Sequence, residues 1–278
     1  MSKPQELQSR IRAVAQTEKA ITALYRLSAV RVRRARAALE EALPYVAALT
    51  GALRTLAAAC DGERYCRPEG LAEARRCILV LGPERGTSGP LCATLRRAVQ
   101  ALPEKETVLY VHGQACREAL TGVGLPCHSA PLPDGEVTLS LCRRAAETLL
   151  RQTYGVPAPA LYLLYITSAP GRDGAVRLER LLPLHPEKTE AALLIEPSPP
   201  EAWELLLPEY LAGCLYCAAL QTCHAEQAAR MRTRKAAKDN AHALLEELTR
   251  LYQTQRQEAI TQALAEIAAG KSHREETE

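Results

Sequence analysis

Hydrophobic positions at the start of the chain recur at alternating steps of four and three. From Leu7 the series runs through Ile11, Val14, Glu18, Ile21, Tyr25, Ser28, Val32, Ala35, Leu39, Ala42, Val46, Leu49, Leu53 and Leu56; only Glu18 and Ser28 are not apolar. A seam held over seven heptads is the mark of a coiled coil. It predicts one helix over the first 57 residues, roughly 80 Å long. Ser2 with Pro4 nearby marks its start. Pro44 falls inside the pattern and predicts a kink, not necessarily an end.

The period then changes. Residues 60–75, CDGERYCRPEGLAEAR, carry Asp-Gly and Pro-Glu-Gly turn signals. Cys77–Leu81, closed by Gly82-Pro83, reads as a buried strand, and Leu91–Leu102 as a helix. Val108–Val111 reads as a strand, followed by helices over Gln114–Leu120 and Val137–Tyr154. Leu161–Ile166, Val176–Leu184 and Glu190–Ile195 complete the set. Strands alternating with helices predict a small, mostly parallel sheet with helices on its faces. The Gly-Arg-Asp-Gly link after Pro170 predicts a terminal hairpin.

Glu196-Pro-Ser-Pro-Pro200 is a boundary, and helix returns from Glu201 to Ala269, with Pro208 early in it. Leu211, Leu215 and Ala218 form one apolar stripe. Ala241, Leu244, Leu248 and Leu251 form a second, and Ile260, Leu264 and Ile267 a third. Between them, Ala225–Asn240 is mainly alanine and basic residues. Gly270 is the expected C-cap. The expected division is an N-terminal coiled-coil helix (1–59), an α/β domain (75–196), a C-terminal coiled-coil helix (201–270) and a disordered tail (271–278). Each long helix has a seam that it cannot bury alone, so the two are expected to pair antiparallel around an inserted, small Rossmann-like α/β domain.

Composition sharpens this picture. The chain has 278 residues, 47% hydrophobic but only 4% aromatic, with no Phe and one Trp. Alanine and leucine must supply the buried surface, which favours helices. Net charge is +3, and its distribution says more than its sum. From Lys3 to Arg36 there are nine Lys or Arg against two Glu, and Arg230, Arg232, Arg234, Lys235 and Lys238 form a second basic run. If the helices pair, these make an elongated basic surface. The N-terminus lacks the apolar core of a secretory signal, and no stretch approaches ~18 apolar residues, so no membrane span is expected. A cytosolic or peripheral protein is expected, with its ten Cys as reduced thiols.

The C-terminal helix carries ordered motifs. Ala225-Glu-Gln-Ala-Ala-Arg-Met231, Asn240-Ala241, Arg256-Gln-Glu-Ala-Ile-Thr261, Glu266-Ile267 and Gly270 follow one another over about 45 residues. They resemble the signature of F-type ATP synthase γ subunits, which reads approximately Ser-Glu-x-x-x-Arg-Met, Asn-Ala, Arg-Gln-x-x-Ile-Thr, Glu-Ile and Gly. Arg10-Ile11, Val14, Thr17 and Lys19 resemble that family's N-terminal helix. Glu84-Arg-Gly-Thr-Ser-Gly89 stands where the family has Asp-Arg-Gly-Leu-Cys-Gly-Gly. Gly113–Leu120, Leu181–Leu184 and Glu196-Pro197 agree in order. The chain departs from the pattern at Gln16, Leu24, Arg26, Ser88–Pro90, Ala225, Arg234, Gln253 and Ala263, and so resembles a divergent member.

The resemblance implies a central rotor shaft with no catalytic site and no cofactor of its own. Its partners would be a hexamer of alternating α and β subunits, the ε subunit and the membrane-embedded c-ring. Its place would be peripheral, at the cytoplasmic side of a bacterial cell membrane. The expected hexamer contacts are Arg10, Lys19, Arg31, Arg230, Met231, Asn240, Arg256, Gln257 and Thr261. Glu84, Arg85, Gly86 and Gly89 are expected to form a structural turn. Chloroplast members carry a redox-switched cysteine pair spaced like Cys60 and Cys66, but elsewhere in the chain.

Other chemistry is expected to be absent. Glu84–Gly89 fits neither Gly-x-x-x-x-Gly-Lys-Ser/Thr nor Gly-x-Gly-x-x-Gly, so a nucleotide site is not expected. Cys214, Cys217, Cys223 and His224 lie on one expected helix and cannot surround zinc tetrahedrally. The basic segments have almost no aromatic residues to stack on bases, and no nucleic-acid partner is expected.

Overall fold

A computed structural model describes residues 3–60, 76–86, 90–103, 106–133, 135, 137–153, 160–169, 172–187 and 194–275. In chain order these form α1 (Lys3–Ala59), β1 (Arg76–Leu81), α2 (Leu91–Gln100), β2 (Thr107–His112), α3 (Gln114–Leu120) and β3 (Cys127–Ser129). There follow α4 (Leu139–Thr153), β4 (Ala160–Ala169), β5 (Arg172–Leu182) and α5 (Pro199–Glu275). The fold class is the expected one, an α/β sheet inserted between two long helices. Two compact units result: Met1–Ser28 with Met231–Glu278, and Ala29–Arg230. The α/β domain therefore shares a unit with much of both long helices, whereas the sequence pattern had separated helix from insert.

In the unit Ala29–Arg230 the sheet order is β3-β2-β1-β4-β5. β1 pairs in parallel with β2 and β4, β2 in parallel with β3, and β4 antiparallel with β5. Successive residues of a strand point to opposite faces, so β1 feeds two cores. Ile78 and Val80 pack with Leu95 and Val99 of α2 and with Cys116 and Leu120 of α3. Leu79 and Leu81 pack with Cys142 and Ala146 of α4, Leu53 and Leu56 of α1, and Leu211 and Leu215 of α5. Gly213 makes a close helix approach possible: a Cβ there would lie 2.8 Å from Val46 Cγ2. Next to it, Arg143 of α4 grips Glu209 of α5 at 2.6 and 2.8 Å, and the Tyr45 hydroxyl of α1 donates to the same carboxylate at 3.4 Å. Tyr45 and Val46 of α1 thus meet Glu209 and Gly213 of α5.

In the unit Met1–Ser28/Met231–Glu278 the α1 seam positions Leu7, Ile11, Val14, Glu18, Ile21 and Tyr25 are half-buried, and Ser28 is fully buried. The α5 seam runs through Met231, Arg234, Lys238, Ala241, Leu245, Leu248, Tyr252 and Gln255, all buried or half-buried. The expected stripe is corrected at two positions. Leu244 and Leu251 are 43% and 45% exposed, because the four-three stepping carries the seam through Leu245 and Tyr252 instead.

Further differences concern ends and short elements. α1 continues through Pro44. α5 continues through the expected cap Gly270 to Glu275, so part of the expected tail is helical. Glycine costs a helix about 1 kcal/mol, and Ala268, Ala269 and Lys271 beside it favour continuation. β3 was not expected; it is three residues long, exposed and without an apolar run. Arg172–Gly174 belong to β5 rather than to a link. Of the expected strand Glu190–Ile195, residues 190–193 lie outside the described residues, and Leu194 and Ile195 are not in a strand. An 18-residue window within α1 reaches a mean hydropathy of 1.3, so one described helix is long and apolar enough by composition to cross a membrane. The earlier expectation counted unbroken apolar runs, whereas a mean over an alanine-rich window tolerates interruptions.

Candidate functional site

The candidate site is the outer surface of the paired helices. In the unit Met1–Ser28/Met231–Glu278, Arg10, Lys19, Asn240, Arg256, Gln257 and Thr261 are all exposed, and Met231 is half-buried on the seam. Arg12, Arg26, Arg232 and Lys235 are exposed as well, interspersed with exposed carboxylates such as Glu6, Asp239, Glu246 and Glu258, so this surface carries both signs with a modest basic excess. Such a surface attracts acidic partners over a distance without fixing one register. The Thr261 hydroxyl donates to the Gln257 carbonyl at 3.0 Å, which turns its proton onto its own helix. From Arg256 to Ile267 every residue is exposed. Within that stretch Ile260, Leu264 and Ile267 are 50%, 63% and 62% exposed and, at steps of four and three, share one face. This is the third expected stripe, and nothing among the described residues covers it.

In the unit Ala29–Arg230, Arg31 is exposed but Arg230 is only 6% exposed. Its guanidinium forms an ion pair with Glu226 one turn earlier. Arg230 is therefore engaged within the chain, not presented to a partner. The cause is the path of α5, which here is buried all round from Ala225 to Arg230. Ala225 and Ala229 belong to the core beneath the sheet, and the Thr222 hydroxyl accepts the Ile166 N–H of β4 at 3.4 Å.

Glu84, Arg85 and Gly86 follow β1 at the sheet's carboxyl edge; Gly89 lies outside the described residues. The carbonyls of Pro83 and Glu84 accept the Cys116 and Ala115 N–H groups at 3.2 Å each, which satisfies donors at the start of α3. The Glu84 carboxylate accepts the Gly135 N–H. Gly113 has φ 95°, and a Cβ there would lie 2.4 Å from the Gly82 carbonyl oxygen, so the two connections touch backbone to backbone.

One contact between the two helices escaped the sequence pattern. Arg234 Nη1 donates to the Leu24 carbonyl at 2.8 Å and to the Ser28 hydroxyl. The signal was present in Ser28, one of the two seam positions that are not apolar, which asks for a polar partner on the facing helix.

The thiols are held away from chemistry. Burial pushes Cys116, Cys142 and Cys214 up to about 12 and Cys217 up to about 11. A thiolate is the reactive form, so these groups are inert near neutrality. Cys60 is 5% exposed, and Cys66, which follows it in the sequence, lies outside the described residues. Among the described residues no cluster of three or more His, Cys, Asp or Glu could hold a metal ion.

Comparison with known proteins gives a consistent picture. A family model described as ATP synthase matches residues 3–272. The ATP synthase gamma chain of Caldanaerobacter subterraneus is 27% identical, over 95% of this chain and 97% of that one. Those of Frankia casuarinae and Mycobacterium tuberculosis are 29% and 28% identical, each over 95% of both chains. Among solved structures, the central stalk and c-ring of the Tetrahymena thermophila mitochondrial ATP synthase contains a chain similar in fold, with TM-score 0.61 and 18% identity. The match covers 78% of this chain and 99% of that chain. A chain of the Euglena gracilis mitochondrial enzyme is similar over 97% of this chain and 93% of its own, with TM-score 0.58 and 13% identity.

Proposed function

Because the chain belongs to the ATP synthase γ family, we propose that it is the central rotor shaft of an F-type ATP synthase. It couples ion flow through a membrane sector to ATP synthesis or hydrolysis at the β subunits of a catalytic hexamer. One observation carries this reading: the family match, over residues 3–272, takes in both long helices and the sheet between them. The paired helices stand inside the hexamer of α and β subunits. The α/β domain meets the ε subunit and the c-ring. The chain is peripheral to the cell membrane, on the cytoplasmic side, through the complex.

The mechanism follows from contact energies. A shaft shifts the conformations of the surrounding β subunits only if it binds their states unequally. Arg10, Lys19, Arg31, Asn240, Arg256, Gln257 and Thr261 are the proposed contacts. The exposed cations supply attraction with little register preference, while the polar residues near the end of α5 make orientation-dependent hydrogen bonds. The uncovered stripe Ile260, Leu264 and Ile267 supplies the apolar part of the seat. Met231 contributes from the edge of the seam, whereas Arg230 acts inside the chain.

The test is co-expression with the α and β subunits of the same host, followed by size-exclusion chromatography and an ATPase assay. Co-elution with six large subunits, and activity that requires this chain, is the expected result. A folded, helical chain that elutes alone would overturn the proposal.

A further inference from the structure

The Ala29–Arg230 unit contains a crevice of about 520 Å³ at the carboxyl edge of the sheet. That volume lies in the range of small-molecule sites. Its position has a topological reason. From β1 the chain moves to β2 and β3 on one side, then α4 returns it to β4 on the other side of β1. The direction of succession thus reverses beside β1. In open α/β sheets, crevices that hold ligands form at such a reversal, outside the carboxyl ends of the strands. Here Gly82 after β1 and His112 ending β2 form the floor, and α1 and α5 form the walls.

The lining is unusual in charge. Four guanidinium groups come from three separate elements: Arg31 and Arg34 from α1, Arg85 from the connection after β1, and Arg230 from α5. Only two carboxylates, Glu84 and Glu226, line the same space. Glu84 accepts the Gly135 N–H, and Glu226 and Arg230 are paired with each other, so the four arginines and two glutamates leave the lining a net excess of positive charge. Arg31 and Arg34 are three residues apart and so rise from one helix face.

Arg230 adds an independent observation. It is 94% shielded from solvent, lines the crevice, and its Nε–H has no hydrogen-bond partner among the described residues. Buried donors are nearly always satisfied, and an exception asks for an explanation such as a bound group. We propose that this crevice binds a small molecule bearing a phosphate or polyphosphate group, held by the guanidinium groups of Arg31, Arg34, Arg85 and Arg230. The planar fork of arginine matches phosphate oxygens two at a time, and convergence from three elements surrounds an anion instead of presenting a flat basic face. The bound group would tie α1 and α5 to the sheet. The inference does not depend on the rotor role, since it rests on this unit alone.

The test is calorimetric titration of the full chain with inorganic pyrophosphate at fixed ionic strength. The expected dissociation constant is below ~1 mM, and the double variant R31Q/R34Q weakens it by at least about tenfold. Both residues are exposed, so the variant keeps its fold, checked by circular dichroism. Arg36 lies on the same helix but pairs with Glu40 at 2.8 Å and does not line the crevice. R36Q is expected to bind pyrophosphate like the unmodified chain. Absence of binding up to about 10 mM, or equal weakening by R36Q and R31Q/R34Q, overturns the proposal.

Discussion

Arg234 of α5 donates from Nη1 to the backbone carbonyl of Leu24 on α1 at 2.8 Å, and the same nitrogen reaches the Ser28 hydroxyl. Ser28 is fully buried. One guanidinium thus fastens two turns of the opposite helix at the only small polar position of the α1 seam. Removing it as R234M leaves a buried hydroxyl without its partner, at a cost of about 1–3 kcal/mol. S28A alone costs about 1 kcal/mol, and the double change R234M/S28A recovers most of the loss, because replacing both partners by apolar groups is nearly neutral. Urea unfolding of the four chains, followed by helical ellipticity, checks the cycle.

A second prediction concerns the close approach at Gly213. A Cβ there already meets Val46 Cγ2 at 2.8 Å, and a longer side chain must force α1 and α5 apart where both join the core. G213L should destabilise the chain by about 1–3 kcal/mol, the usual cost of overpacking. V46A in the same chain makes room and restores part of that loss. Thermal melts compare the three.

The third prediction is a dependence on acid. The hydrogen bond from Arg143, with a smaller part from its charge and from Tyr45, holds the Glu209 carboxyl below its ordinary value of 4.5. A group whose value is depressed by folding stabilises the fold above its unfolded value and loses that contribution as pH falls through its folded value. The melting temperatures of the unmodified chain and R143Q should therefore differ at pH 7 and converge below about pH 4.5. The pair is partly exposed, so the difference is small and shrinks further in salt.

The thiols predict the opposite trend at high pH. Cys116, Cys142 and Cys214 are raised by burial from 9.0 to about 12, and Cys217 to about 11. A group raised by folding stabilises fully below its unfolded value. That contribution is lost as pH climbs from there toward the folded value, because the unfolded chain releases the proton first. Stability should decline from about pH 9 upward. At pH 7.5, iodoacetamide followed by peptide mass spectrometry should label the exposed Cys127 before these four.

How much of this was legible in the sequence depended on how strongly position dictated residue type. The α1 seam was readable from Leu7 to Leu56 because a heptad interface demands apolar residues at fixed steps, and every one of those positions is buried or half-buried. The α5 seam was harder. It admits Arg234, Lys238 and Gln255, whose long stems cover apolar surface while their heads reach out, so polarity disguised the period. Leu244 and Leu251 attracted attention in their place. β1 and β4 were plain as apolar runs, whereas β3 is too short and exposed to leave a mark. Arg230 looked like a surface cation because the alanines around it gave no hint that the sheet lies against them. The crevice could not be read at all, since its arginines come from positions 31, 34, 85 and 230 and only the fold assembles them.

The four-three stepping of the seams has a mechanical meaning. A repeat of 3.5 residues against a natural 3.6 per turn obliges paired helices to wrap left-handedly. A rope laid with one hand tightens when twisted in one sense and slackens in the other. Twist of one sense presses the seam of the Met1–Ser28/Met231–Glu278 unit together around Ser28 and Leu248, and the opposite twist pries it open. Such a strand has two torsional stiffnesses, one for each direction of turning, and Arg234, donating across the seam to Leu24 and Ser28, resists the direction that opens it.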